Sequence, residues 1–315
     1  MAFDSSLFYK DLDDYFARHD NEATERFLLE TLDSIESSML ISAASCSCCS
    51  DDDACEGPGE EEIQWAVDRS QGMIAVLNEL ACFYRGLSRL EDSMKAFARV
   101  KNEMELCGLN ESDSYALVLI NLAGTCRLLG KFDEALNCFE TAKNLLLKNG
   151  NSEPYNFASL FNNLGLVYQD LKEYSKSAQA LETALEYLPK TEDNRAELAT
   201  NLSNLALAYY SAGAKDKAAL RLEEALGIFK DLDGGKNPHY AGALNTKAVF
   251  LYRDGEYQRS AEAFEEAIGI TRLVYGENKE YLTGCHNCSL AYKKAGNEEK
   301  AAYYQAMADR VREVK

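Results

Sequence analysis

The sequence predicts an all-α chain, a right-handed α-solenoid built from stacked helix pairs, and three observations carry that prediction. Six segments align at successive offsets of 42, 42, 41, 42 and 41 residues. Small side chains recur in fixed columns through all six. A glycine, or a residue in its place, separates two amphipathic stretches in each. One helix pair cannot bury both of its apolar faces, so such units must stack and share a continuous core.

The segments lead with Leu80, Leu122, Leu164, Leu205, Lys247 and Cys288. In each first helix the next residue is small: Ala81, Ala123, Gly165, Ala206, Ala248 and Ser289. The second helix carries two small columns seven residues apart, hence on one face. The earlier is Ser93, Ala135, Ser177, Ala218, Ser260 and Ala301; the later is Val100, Ala142, Ala184, Ala225, Ala267 and Ala308. Between them runs a bulky column, Phe97, Phe139, Leu181, Leu222 and Phe264, which ends in Gln305. Gly130, Gly213, Gly255 and Gly296 stand where a helix must end in a left-handed residue, and Ser88 and Lys172 fill that place in the other two units. Pro154, Pro189 and Pro238 fall in the turn-rich links between units.

Ahead of the array, residues 4–41 hold two further amphipathic stretches. Leu7, Phe8, Leu12, Tyr15 and Phe16 stripe one; Phe27, Leu28, Leu32, Ile35 and Met39 stripe the other; His19-Asp20-Asn21 marks a turn. The expected organisation is N-terminal capping helices over 1–44, an acidic Cys-rich flexible loop over 45–62, and six repeats over 63–315.

Composition excludes several function classes. Of the 315 residues 46% are hydrophobic, a folding composition, and no run is apolar enough for a membrane span. The start MAFDSSLFYKDLDDYF reads as neither a basic leader nor a signal core, so the expectation is a cytoplasmic protein whose ten cysteines stay reduced. The net charge is −19, of which residues 1–64 supply −14. That balance argues against a nucleic-acid or anionic-membrane ligand. No phosphate loop, HExxH or GxSxG motif occurs, and with only His19, His239 and His286 the chain is read as non-enzymatic and without a cofactor.

The cysteines are read mainly as packing or loop residues. Cys46, Cys48, Cys49 and Cys55 stand within ten residues and could hold a soft metal such as zinc or copper(I), but they match no standard zinc spacing, and an unstructured acidic loop is the favoured reading. Cys285 and Cys288 share a helix face from which His286 turns about 100° away, so the three do not ligate one ion. Cys82, Cys107, Cys126 and Cys138 are expected in the core.

The small and bulky columns resemble those of tetratricopeptide repeats, and the 41–42-residue unit is similar to the kinesin-light-chain-like branch of that family. The fifth unit departs by setting Tyr252 only three residues before its glycine, the sixth by leading with Cys288. The resemblance implies that first helices line a concave groove binding a peptide segment of a partner. It further implies that Asn121, Asn163, Asn204 and Asn287, with Thr246 at the same phase in the fifth unit, contact the peptide's main chain. An amide both donates and accepts, so it satisfies a peptide unit without reading the side chain. The lysine-bearing carboxylate clamp of chaperone-binding relatives is not reproduced, since Leu117, Ser159, Thr200, Gly242 and Thr283 stand at its place.

Around the ladder, Arg85, Arg127, Arg253, Lys293 and Lys294 form an expected basic rim favouring acidic peptides, with Tyr210 and Tyr252 as stacking surfaces. The expected function is a protein-interaction scaffold or adaptor. Two alternatives stand beside it: a peptide-pheromone sensor acting through a separate output partner, and self-association as a homodimer through Tyr303, Tyr304 and Met307 of the last helix.

Overall fold

The structure, a computed structural model, describes residues 3–18, 20–45, 60–150, 152–232 and 238–310. His19, Cys46, Cys48, Cys49 and Cys55 lie outside them. Among the described residues the chain is all-α, and it divides into two compact units, Met1–Ser152 and Glu153–Lys315.

The first unit holds α1 (Ser5–Ala17), α2 (Asn21–Ser45), α3 (Glu60–Gly86), α4 (Leu90–Leu106), α5 (Asp113–Leu128) and α6 (Phe132–Asn149). The second holds α7 (Pro154–Asp170), α8 (Tyr174–Tyr187), a short 3-10 turn (Glu192–Asn194), α9 (Arg195–Ser211), α10 (Lys215–Asp231), α11 (Pro238–Arg253), α12 (Tyr257–Tyr275), α13 (Lys279–Lys294) and α14 (Glu298–Asp309). Each of the six expected repeats is one helix pair, from α3/α4 to α13/α14. Pro154 and Pro238 open α7 and α11, where a missing N–H costs no helix bond.

Of the segment expected as a loop over 45–62, residues 46–59 lie outside the described residues, and its two ends are helical. The helix α2 runs through Ser45, and α3 starts at Glu60. Within the first helical pair Phe8, Leu12, Leu28 and Leu32 are buried, whereas Leu7 is 54% exposed. Glu25 of α2 ties this pair to the array, accepting from Arg89 at 2.7 Å and from the Tyr84 hydroxyl at 3.1 Å.

The core follows the small columns. The first-helix column from Ala81 to Ser289 and the second-helix column from Ser93 to Ala301 are buried in every pair, with the bulky column from Phe97 to Phe264 beside them. Close approach is literal at Gly165, where a Cβ would stand 2.6 Å from the Leu181 side chain. Where a serine occupies the seam, its hydroxyl is bonded. Ser177 donates to the Gly165 carbonyl at 2.8 Å and Ser260 to that of Ala248 at 2.7 Å. In the last pair the direction reverses, and Ser289 of the first helix donates to Ala301 of the second at 2.8 Å. Cys107 departs from expectation: it is exposed, because it sits at the C-cap of α4, past the buried face.

All six turn positions adopt positive φ: Ser88 (60°), Gly130 (74°), Lys172 (62°), Gly213 (85°), Gly255 (84°) and Gly296 (81°). Each closes the preceding helix. At Lys172, for example, its own N–H reaches Gln169 O at 3.0 Å and the Glu173 N–H reaches Tyr168 O at 2.8 Å. A side chain in this region pays a steric cost that glycine avoids.

A polar cluster ties the final pair to α12. Glu265 accepts from Lys300 at 3.0 Å and from the Tyr304 hydroxyl at 2.9 Å, and Lys300 also donates to the Tyr292 hydroxyl at 2.9 Å. Burial pushes the Glu265 carboxyl up, but hydrogen bonds from Tyr292, Lys300 and Tyr304 outweigh it, leaving it below the usual carboxylate range. Of the residues considered for self-association, Tyr304 is therefore turned inward and stacks on Tyr292, and the Tyr281 hydroxyl lies 3.5 Å from the Met307 sulfur. Tyr303 remains exposed.

Two measurements follow from these contacts. Lys172→Gly relieves the left-handed strain against a greater loss of chain entropy, and urea unfolding should show a net gain of roughly 0.5 kcal/mol. A carboxyl with a depressed folded-state pKa contributes stability above its unfolded pKa and loses it as pH falls through the folded value. The melting temperature should therefore fall as pH drops below about 4.5, and Glu265→Gln should flatten that part of the profile.

Candidate functional site

The first helices lie side by side within each unit, α3 with α5, and α7 with α9 and α9 with α11. This arrangement places the expected site residues along the first-helix faces, and most of them already have work within the protein.

In the first unit Asn121 is half-buried, and its main-chain carbonyl accepts from Arg85 Nη1 at 2.8 Å. The guanidinium lies against Gly124, where a Cβ would stand 2.8 Å from it. Arg85 therefore joins α3 to α5 instead of forming a basic rim. Arg127 is half-buried near the end of α5.

In the second unit Asn163 donates to the Ser159 carbonyl of its own helix at 2.9 Å, and Asn204 donates to Asn162 Oδ1 across α9 and α7 at 3.1 Å. Thr246 bonds back to the Gly242 carbonyl at 3.1 Å. Tyr210 stacks on Phe250 with ring centroids 4.0 Å apart, and its hydroxyl donates to Asp254 at 2.9 Å. Lys215 also binds Asp254, whose carboxyl the two donors hold below the usual range. Tyr210 thus ties α9 to α11. Lys293 and Lys294 are exposed at the end of α13.

Three expected residues do converge. Tyr252 and Arg253 of α11 and Asn287 of α13 line one recess of about 160 Å³, with Val249, Phe264 and Leu290 as its apolar walls. Arg253 is exposed, lies 5.8 Å from the centre of the Tyr210 ring, and makes no ion pair among the described residues. The recess joins an apolar surface to a free cation and an amide.

A second recess, of about 230 Å³, opens between α7, α9 and the start of α11. Its walls include Tyr155, Ser159, Asn162, Glu197, Thr200 and Asn201. Asn201 is only 4% exposed, yet its Oδ1 has no hydrogen-bond partner. Sequence reasoning missed this residue, although the signal was present. Four places before the leading residue the repeats carry Val76, Val118, Leu160, Asn201, Ala243 and Gly284, so one polar side chain interrupts an apolar column. Burial pushes the Tyr155 phenol above its usual range, and the Glu197 carboxylate adds to the shift.

Burial raises the thiol pKa of Cys82 and Cys126 to about 11, and raises that of Cys285 and Cys288 as well, the last two being fully buried. Among the described residues no group of three or more His, Cys, Asp or Glu side chains is placed to hold a metal ion, and no helix is long and apolar enough to cross a membrane.

Tetratricopeptide repeat models match residues 118–153, 156–231 and 241–278. The chain is a tetratricopeptide-repeat protein over these residues, and such repeats serve as protein-interaction modules, generally without catalysis. Among solved structures it is similar to BtubC (BKLC) from P. vanneervenii, at 21% identity and TM-score 0.59, covering 71% of this chain and 91% of that one. It is also similar to RapI in its apo form, at 13% identity and TM-score 0.58, covering 98% of this chain and 77% of that one. A Podosopora anserina chain described as a kinesin light chain with nearly identical TPR-like repeats aligns at 20% identity and TM-score 0.50, covering 65% of this chain and 96% of that one. These likenesses establish the fold. No curated protein matches the chain.

A buried acceptor without a partner costs about 1–3 kcal/mol. Asn201→Val, which restores the residue type of Val76 and Val118, should therefore raise unfolding free energy by about 1 kcal/mol in a urea titration.

Proposed function

We propose that this chain is a non-enzymatic, cytoplasmic adaptor whose first-helix face binds an extended peptide segment of a partner protein. The observation that carries the reading is the recess between α11 and α13. An unpaired guanidinium, Arg253, and an amide, Asn287, stand there beside the apolar surface of Tyr252, Phe264 and Leu290. That combination suits a segment presenting an apolar side chain next to a carboxylate. Arg253 supplies a charge-assisted hydrogen bond, and Asn287 supplies a donor and an acceptor for a peptide unit. Within the second unit Asn163 and Thr246, whose hydrogen bonds stay within their own helices, extend the polar path along α7 and α11. The buried free thiols of Cys126, Cys285 and Cys288 fit a reducing compartment.

Peptides selected from a phage-displayed dodecamer library against the full chain should be enriched in acidic residues beside apolar ones. Arg253→Glu should weaken the best of them at least tenfold, while helix content and melting temperature stay unchanged. Equal binding by the wild type, Arg253→Glu and Asn287→Ala would remove the recess from consideration.

A further inference from the structure

The recess between α7, α9 and α11 has a chemistry opposite to that at Arg253. The side chains around it bring a carboxylate, three hydroxyls, two amides and the His239 imidazole, and none of its lining residues is a lysine or arginine. The Thr200 hydroxyl spends its proton on the Ala196 carbonyl at 2.8 Å, which leaves its lone pairs free. Asn162 Oδ1 already accepts from Asn204, whereas the buried Asn201 Oδ1 accepts from nothing. The unmet need is for donors.

Charge points the same way. Glu197 makes no ion pair among the described residues. In sequence the lining residues are flanked by Glu153, Glu192 and Asp193, against Lys190 and Arg195. Arg195 is already held by Glu192 and Asp231, each at 3.4 Å. The first turns of α7 and α9 contribute only partial positive charge, which these carboxylates answer. Ala158, Leu188 and Ala196 give the recess an apolar wall, and the Tyr155 ring, 41% exposed, offers a face for a cation. About 230 Å³ is below the usual range for a small-molecule pocket, and suits one long side chain.

We infer that this recess receives a lysine or arginine side chain of the bound peptide, its cationic head shared between the Glu197 carboxylate and the Asn201 amide and its aliphatic stem lying along Ala158, Leu188 and Tyr155. The inference rests on the adaptor reading and adds to it: the partner segment carries a basic residue as well as the acidic one met by Arg253. Ser159 and Thr200, standing where chaperone-binding relatives carry basic residues, leave this part of the face without a lysine or arginine.

The test uses the full-length, ¹⁵N-labelled protein and four capped pentapeptides, Gly-Gly-Xaa-Gly-Gly, with Xaa lysine, arginine, norleucine or glutamate. The lysine or arginine peptide should saturably shift the Asn201 side-chain amide and the Ser159 and Thr200 main-chain signals. Norleucine, with a similar stem and no charge, should bind at least tenfold more weakly, and glutamate should leave the signals in place. Glu197→Gln should cost the basic peptide about tenfold in affinity with the melting temperature unchanged. Asn201→Val should weaken binding while the protein becomes more stable, which separates lost recognition from lost folding.

Equal binding by norleucine, preference for glutamate, unaltered affinity in Glu197→Gln, or silence at Asn201 would each overturn the inference. Failure here is distinguishable from failure of the adaptor reading. If the library-selected peptides still shift Asn287 and lose affinity in Arg253→Glu, the face binds peptide and only the basic subsite falls.

Discussion

Close contact between the two helices of each pair is the constraint on which the rest of the structure depends. Alanine, glycine or serine faces its counterpart across every seam, and the aromatic or leucine between the second helix's small columns fills the space this leaves. Because the backbones approach so nearly, a methyl group at Gly165 has nowhere to go unless Leu181 moves. With the seam fixed, the turn is fixed as well, which explains why the chain accepts Ser88 and Lys172 in a left-handed conformation. Local strain of that kind persists where the surrounding packing leaves no alternative.

Rigid pairs are what make the first-helix faces useful. A helix locked along one side presents its other side in a known register, so residues 41 or 42 apart recur at corresponding places on adjacent helices. The Asn204–Asn162 bond joins two such helices, reaching the residue just before Asn163, the counterpart of Asn204. The ties from Arg85 to Asn121 and from Tyr210 to Asp254 run between successive first helices, 36 and 44 residues apart. Side chains that hold neighbours together are withdrawn from ligand contact, so the face is selective about which positions it offers.

Much of this was legible from the residues alone. The small columns, the bulky column and all six turn positions were fixed by their spacing, because burial in a repeat array imposes a period that a sequence displays directly. The site was harder to read. Tyr210 and Arg85 occupy positions that look available on a helical wheel, and only their partners show them to be engaged. Asn201 carried a visible signal, a polar residue in an apolar column, but its unpartnered Oδ1 is a fact of three-dimensional surroundings. The exposure of Cys107 likewise depends on where α4 ends, and helix ends are the least determined feature of a periodic pattern.

The seam serines carry one more consequence. No pair has a serine on both helices, and in three pairs the single hydroxyl is bonded to the main chain of the opposite helix. Ser260 and Ser289 point their bonds in opposite senses, from second helix to first and from first to second. A recombination event that joined a first helix like α13 to a second helix like α12 would set two buried hydroxyls against each other. One that joined α11 to α14 would leave two methyl groups there. The number of hydroxyls at a seam is thus a property of the pair and not of either helix alone: four of the six pairs carry one, and α5/α6 and α9/α10 meet through alanines only.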